Sequence, residues 1–263
     1  MDINAIKAKL SALNNTGNND REKVDYEKVF WRPTNGKHQV RIVPSTYDPA
    51  FPFKELKFHY GIGKYPMIAL SNFGKQDPVE EFVKELKKTS DKDNWSLAGK
   101  LSPKTRIFAP VIVRGEEHLG VRLWGFGVTI YKALLALAED EDVGDYTDTV
   151  NGYDMIVEQT PGNPYPQTTV RIKPKMSPLS ENASQAEDWM KTQPNPVDVF
   201  TQYDYEFIKK QLQNHLDPNS EEASTATAPA ATSPAETTTS DFTLENASKS
   251  TQSVVSQFDD LFE

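Results

Sequence analysis

Arg106-Ile107-Phe108-Ala109-Pro110-Val111-Ile112-Val113-Arg114, followed after Gly115-Glu116-Glu117-His118 by Leu119-Gly120-Val121-Arg122-Leu123-Trp124-Gly125-Phe126, carries the period-two alternation of two β-strands. In the first, Ile107, Ala109, Val111 and Val113 share a face, and Arg106, Phe108 and Arg114 share the other. In the second, Leu119, Val121 and Leu123 form an aliphatic face opposite Arg122, Trp124 and Phe126. The short Gly-containing link between them suits a hairpin, which predicts adjacent strands and one merged surface. The aliphatic face suits a core. The opposite face mixes guanidinium groups with flat rings, the combination that tracks phosphates while offering platforms for unstacked bases. An alternative reading buries Phe108, Trp124 and Phe126 as an apolar layer beneath a helix at residues 128–138. That reading must pair or desolvate Arg106, Arg114 and Arg122 together, which is unfavourable, so the binding reading is preferred.

Other segments have the same short, β-branched and aromatic character, bounded by Gly, Pro and Asn: residues 39–43, 55–60, 153–159 and 168–173. Arg41 alternates there with Val40 and Ile42, and Arg171 and Lys173 alternate with Val170 and Ile172, adding cations on further strands. Tyr165, in the Pro-rich turn of residues 161–166, is a further candidate platform. Asp77-Pro78 opens a helix through Leu86, residues 128–138 have helical apolar spacing, and residues 196–216 suggest another helix. The expected class is α+β, with a β-barrel or sandwich core interrupted by helices.

Charge divides the chain unevenly. The total is −9, and the stretch from Asp217 onward holds nine acids against Lys249 alone, net −8. Residues 32–132 hold seventeen Lys/Arg against ten Asp/Glu, net +7, whereas residues 133–216 hold six against fourteen, net −8. A basic region joined to an acidic tail fits a nucleic-acid binder that carries its own competitor. The tail is Ser/Thr/Ala/Pro-rich, too poor in apolar side chains to offset its ordering entropy, and is expected to be disordered. It ends in Phe258-Asp259-Asp260-Leu261-Phe262, an acidic and apolar peptide suited to being held by another protein. At the other end, Asp2 can cap a short helix whose Ile3, Ile6, Leu10 and Leu13 share a face, with Lys7 and Lys9 off it.

The domain expectation is therefore an N-terminal arm at residues 1–25, a binding core at 26–216 and a tail at 217–263. With 37% hydrophobic residues the chain can bury a sizeable core. It has no cysteine, which excludes disulfides, thiolate nucleophiles and Cys-ligated zinc. No apolar run approaches a membrane span and no signal-peptide pattern is present, so a cytoplasmic protein is expected.

Enzyme signatures are scarce. There is no phosphate-binding P-loop, dinucleotide fingerprint, nucleophile elbow or His-Glu-x-x-His. Glu139, Asp140, Glu141, Asp142, Asp145 and Asp148 are the one set that could imitate a two-metal nuclease, but consecutive loop acids do not converge as residues on separate strands can. His38, His59, His118 and His215 show no ligand spacing. No cofactor, no metal and no catalysis are expected.

In layout and in several blocks the chain resembles the single-stranded DNA-binding, helix-destabilising proteins of T-even-type bacteriophages. Val40-Arg41-Ile42-Val43-Pro44-Ser45 is similar to the family's first core strand, and Val121-Arg122-Leu123-Trp124-Gly125-Phe126-Gly127 to its second. Trp95-Ser96-Leu97 begins the stretch leading into the basic, aromatic hairpin. The resemblance implies an oligonucleotide-binding barrel that coats single-stranded DNA cooperatively in replication, recombination and repair, within the host cytoplasm if the source is viral. By position it implies that Arg41, Trp95, Lys104, Arg106, Phe108, Trp124 and Tyr165 lie in or near the cleft. It also implies that Ile6-Lys7-Ala8-Lys9-Leu10 contacts a neighbouring protomer and that the tail recruits replication proteins and competes with DNA. The family's structural zinc, held by one His and three Cys, cannot exist here. His59 falls near the ligand histidine, and Met67, Ile68, Leu70, Phe73, Val79 and Phe82 are expected to replace the metal by apolar packing.

The DNA-contacting set expected from residues and resemblance together is Arg41, Trp95, Lys104, Arg106, Phe108, Arg114, Arg122, Trp124, Phe126, Tyr165 and Arg171. The protomer contact is Ile6, Lys7, Lys9 and Leu10. Rival readings are a protein-interaction adaptor without nucleic-acid affinity and, behind it, the metal-dependent nuclease.

Overall fold

A computed structural model describes residues 25–48 and 50–217. Ile6, Lys7, Lys9 and Leu10, and Phe258, Asp259, Asp260, Leu261 and Phe262, lie outside them. The described chain is mixed α+β, with eight strands and six helices, and divides into two compact units: residues up to 54 with 107–199, and residues 55–106 with those from 200 onward.

The first unit is built on a sheet. Its helix α1 (Tyr26–Val29) leads into β1 (Phe30–Trp31) and β2 (Gly36–Ile42). After β5 (Lys104–Val113) come β6 (Arg122–Phe126), helix α4 (Val128–Glu139), β7 (Tyr153–Thr160), β8 (Gln167–Met176) and helix α5 (Ala183–Lys191). The strand order is β1-β6-β5-β2-β7-β8. β5 and β6 pair as a hairpin, but β6 starts only at Arg122, Leu119 is exposed in a 3₁₀ turn, and Ala109 lies opposite Trp124 and Ile107 opposite Phe126, which puts both rings on the aliphatic face of β5. β1 joins β6 in parallel, Trp31 beside Trp124.

Both faces of this sheet are buried. One carries Val40, Ile42, Ile107, Ala109, Val111, Val113, Met155 and Val157, covered by Leu134 of α4 with Ile130, Tyr131 and Leu135 packed against the cluster. The other carries Val43, Ile112 and Val121, covered by Leu179 and by Trp189 of α5. Covering both faces lets the strands be apolar on both, as β6 is.

The second unit is a helical cluster with a β-hairpin. β3 (Lys54–His59) pairs with β4 (Met67–Ile68), His59 opposite Met67, and a 3₁₀ turn at Leu70–Phe73 leads to α2 (Pro78–Lys88) and α3 (Lys92–Leu101). Helix α6 (Tyr205–Leu216) completes it. Val79, Phe82, Val83 and Leu86 recur at helical spacing and bury against Ala98, Leu101, Ile208 and Leu212. Pro78 occupies the first turn of α2 with Asp77 as its cap, as predicted. The helix expected over 196–216 starts only at Tyr205, because Asp204 caps it by accepting from the Phe207 N–H at 2.7 Å. α1, β1, β4, α3 and α5 are additional to the predicted elements. β1 and β4 are only two residues long, too short for any periodicity to register.

Candidate nucleic-acid interface

Five of the expected DNA-contacting residues are buried, and a sixth, Arg114, is spent on the interior. Trp124 is 1% exposed and Phe126 4%; both point into the main cluster of the first unit, tilted at 52° to each other with ring centroids 4.6 Å apart. Phe108 is also buried, set edge-on to Phe30 at 6.0 Å. It lies directly across from Gly125, where a Cβ would come within 2.9 Å of its ring, so a glycine is required there. These three rings are interior packing, not platforms for bases. The alternative of an apolar layer under the 128–138 helix holds for Trp124 and Phe126, and the faces of β6 are the reverse of those expected.

The arginines that argued against burial are satisfied instead. Asp154, itself buried, accepts from Arg41 Nη1 at 3.3 Å, from Arg114 Nη2 at 2.9 Å and from Gln39 Nε2 at 2.6 Å. Arg41, 0% exposed, also donates to the carbonyls of Asp148 and Ser177, and Arg114 to those of Leu179 and Pro178. Burial pushes the Arg41 guanidinium downward in pKa, and the charge of Asp154 works against that. Gly152 is needed here as well, since a Cβ would sit 2.6 Å from Arg41 Nη2. Arg122 is buried and ion-paired with Glu116. Arg41, Arg114 and Arg122 are thus structural cations in this unit, because partners that alternation cannot reveal meet them: Asp154 and loop carbonyls for Arg41 and Arg114, Glu116 for Arg122.

Other expected residues do reach solvent. In the first unit Tyr165 is 78% exposed at the β7–β8 turn, and Arg171 is exposed on β8, the last strand in the sheet order. In the second unit Trp95 is 55% exposed on α3, its Nε1 donating to the Thr89 carbonyl at 2.9 Å, which fixes the ring while leaving it accessible. Lys104 Nζ donates to the Gly99 carbonyl at 3.2 Å, one helical turn beyond Trp95. Arg106 is half-buried, and its charge acts on Tyr60, whose hydroxyl burial otherwise raises.

Sequence reasoning missed two exposed rings. Tyr60 and Tyr65 are exposed in the loop joining β3 to β4, with Lys64 Nζ 5.4 Å from the centre of the Tyr65 ring. The signal was present as Tyr60-Gly61-Ile62-Gly63-Lys64-Tyr65, two rings and a cation in a glycine-punctuated loop.

His59 marks the position that the family resemblance assigns to a zinc ligand. Its Nε2 lies 2.9 Å from Asp77 Oδ2, both side chains buried, and Asp77 also accepts from the N–H groups of Leu70, Val79 and Glu80. With no cysteine in the chain and the histidine engaged by a carboxylate, these residues do not fit a zinc site. Met67, Leu70, Val79 and Phe82 stand in the apolar cluster around it. The acidic run after α4 is equally spoken for: Asp140, Asp145 and Asp148 accept from nearby backbone N–H groups of their own loop. Among the described residues no group of three His, Asp or Glu is placed to hold a metal. Nor is any helix there long and apolar enough to cross a membrane.

A sequence model described as gp32 DNA binding protein like matches residues 34–233, more than half of the chain. The chain belongs to this DNA-binding family. No curated protein is a significant match. Membership makes DNA the ligand class of the chain.

Proposed function

We propose that this protein binds single-stranded DNA without sequence preference, as a coating protein and not as an enzyme. The observation that carries the reading is the placing of cations near solvent-facing rings: Lys64 at Tyr65, the charge of Arg106 acting on Tyr60, and Lys104 Nζ on the Gly99 carbonyl, one helical turn beyond Trp95. Each unpaired base has a π-face, so stacking on such rings is tolerant of sequence and contributes about 1–3 kcal/mol per base. Lysine and arginine next to each ring neutralise the phosphates on either side of the stacked base. Tyr165 and Arg171 offer the same pair of chemistries on the first unit.

The finer reading rests on the family and on charge. Ile6, Lys7, Lys9 and Leu10 link neighbouring protomers along the strand, giving cooperative binding. The tail, net −8 from Asp217 onward, competes with DNA and presents Phe258-Asp259-Asp260-Leu261-Phe262 to proteins of replication, recombination and repair in the cytoplasm, that of a host cell if the source is viral.

Quenching of Trp fluorescence by a thymine homopolymer, followed over a salt series, tests the reading. Trp95 is the exposed reporter, and binding that weakens steadily as salt rises is expected. No response at low salt by fluorescence, together with no mobility shift of labelled strand, would overturn it and leave the adaptor reading.

A further inference from the structure

The β7–β8 hairpin contains an irregularity. Met155 pairs with Ile172 and Tyr153 with Met176, so residues 173–175 bulge out opposite Asp154 alone. Bulges re-aim side chains and are concentrated near functional sites. Here the bulge turns Lys173 and Lys175 toward one cavity of about 250 Å³, which Gln39, Arg114, Asp154 and Ser177 also line. The cavity lies wholly within the first unit.

Its electrostatics are unbalanced. Two guanidinium groups, Arg41 and Arg114, share the single buried carboxylate of Asp154, whose oxygens are further occupied by Gln39. The second positive charge is opposed only by the exposed Asp148, which acts on Arg41 from the solvent side, in a setting where burial weakens screening. Arg41 Nε has no hydrogen-bond partner among the described residues. Lys173 Nζ holds only the neutral Gln39 Oε1 at 3.2 Å, and Lys175 enters no ion pair among the described residues. Glu181 is the other acid lining the cavity, and it is exposed. A polar, cation-rich cavity of this kind attracts an oxyanion, and flexible ammonium groups over fixed guanidinium groups suit a phosphate.

We propose that this cavity is a phosphate seat formed by Lys173 and Lys175 over the Arg41–Asp154–Arg114 network. In its fullest form the inference rests on the proposed function, with the phosphate being a backbone phosphodiester of the bound strand. Free phosphate is the other source of the same chemistry. Arg171 precedes Lys173 by two residues on the same strand, about 6.6 Å away, so a strand could pass from one cation to the next.

The test compares the full-length protein with the double variant Lys173→Gln/Lys175→Gln and with Lys173→Arg/Lys175→Arg. Two readouts are used: titration of inorganic phosphate and pyrophosphate by calorimetry, and the salt dependence of binding to a short thymine oligonucleotide. Loss of two phosphate contacts is expected to lower the slope of log K against log salt by about 1.4, and loss of one by about 0.7. The arginine variant should keep the wild-type slope. A lower slope in the Gln variant, with thermal unfolding unchanged, supports the strand phosphate. An unchanged slope with pyrophosphate binding that the Gln variant loses supports a seat for free phosphate only. An unchanged slope with no phosphate or pyrophosphate binding overturns the seat. In that case Arg171→Gln still lowers the slope if the DNA reading holds. Absence of oligonucleotide binding by the wild type sinks the proposed function, and the phosphate titration then decides the cavity alone.

Discussion

The two units make opposite use of the same residue types. In the first, large rings are interior: Trp31, Trp124 and Phe126 fill the cluster between sheet and α4, and arginines are held beneath the chain segment after β8. In the second, the buried rings are Phe58 and Phe82 in a largely aliphatic interior, the one buried ionisable pair among the described residues is His59–Asp77, and rings at Tyr60, Tyr65 and Trp95 face water. The difference follows from what covers each surface. A sheet clad on both faces has no outside for its central strands, so aromatic and basic positions there become packing and ion pairs. A helical cluster buries one stripe per helix and leaves the rest of each helix, and the hairpin loop, to solvent.

The sharpest way to break this comparison is to remove one tryptophan from each unit. Trp124→Ala should destabilise the protein by about 3–5 kcal/mol, the range for large-to-small changes in a close-packed core. Trp95→Ala should change stability by no more than about 0.5 kcal/mol while weakening single-strand binding by about 1–3 kcal/mol, or roughly 5- to 150-fold. Urea unfolding and fluorescence or anisotropy titrations separate the two. A large stability loss at Trp95 without loss of affinity would reverse the assignment.

Next in size are the two buried carboxylates. Asp154→Asn strands two guanidinium groups and should cost about 3–5 kcal/mol. Asp77→Asn should cost about 2–3 kcal/mol, because it keeps a cap-competent oxygen yet loses the charge that holds His59 and several backbone N–H groups. Chelator should leave the wild-type melting temperature unchanged, as expected of a unit held by that pair and not by zinc. A chelator-dependent drop would contradict the reading of His59.

The Asp77 contribution also has a pH signature. Burial raises its pKa, but the hydrogen bond and charge of His59 and the N–H groups of Leu70 and Glu80 outweigh that and hold it below the ordinary carboxylate range. A folded-state pKa below the unfolded value of about 3.9 stabilises the fold above that pH, and the contribution is lost as pH falls through the folded value. Acid unfolding monitored by circular dichroism should therefore be less steep in Asp77→Asn than in wild type. Parallel acid limbs would argue that Asp77 is not the titrating group.

Much of the fold was legible. The pairing of the two strands in residues 104–126, the Asp77-Pro78 cap and the apolar spacing of residues 128–138 each reflect local physics, although the second strand starts three residues later than expected and with its faces exchanged. The apolar cluster around α2 was legible too, since Val79, Phe82 and Leu86 recur at helical spacing. What alternation cannot supply is which face of a strand another element will cover. Arg41 pairs with Asp154, 113 positions away, and nothing near either residue announces the other. The interface was misread for the same reason: Trp124 beside Arg122 looks identical whether α4 lies over it or water does. Tyr60 and Tyr65 were overlooked because their loop has no periodicity to attract attention.

Arg41 and Arg171 carry the smallest test, and the one that isolates this point. Both alternate with aliphatic residues on strands, Val40 and Ile42 in one case, Val170 and Ile172 in the other, so the sequence around them predicts the same role. Arg41 lies on β2 between β5 and β7, beneath a carboxylate and two loop carbonyls, whereas Arg171 is exposed on the terminal strand β8. Arg171→Gln should leave unfolding within about 0.5 kcal/mol of wild type and lower the salt slope by about 0.7, the signature of one lost phosphate contact. Arg41→Gln should destabilise the fold and leave the slope of the still-folded fraction unchanged, because a cation enclosed by protein has no counterion to release. Equal slope changes in the two variants would mean that the first unit opens to DNA along a face that is closed in the free protein, and the contrast between strand position and function would fail.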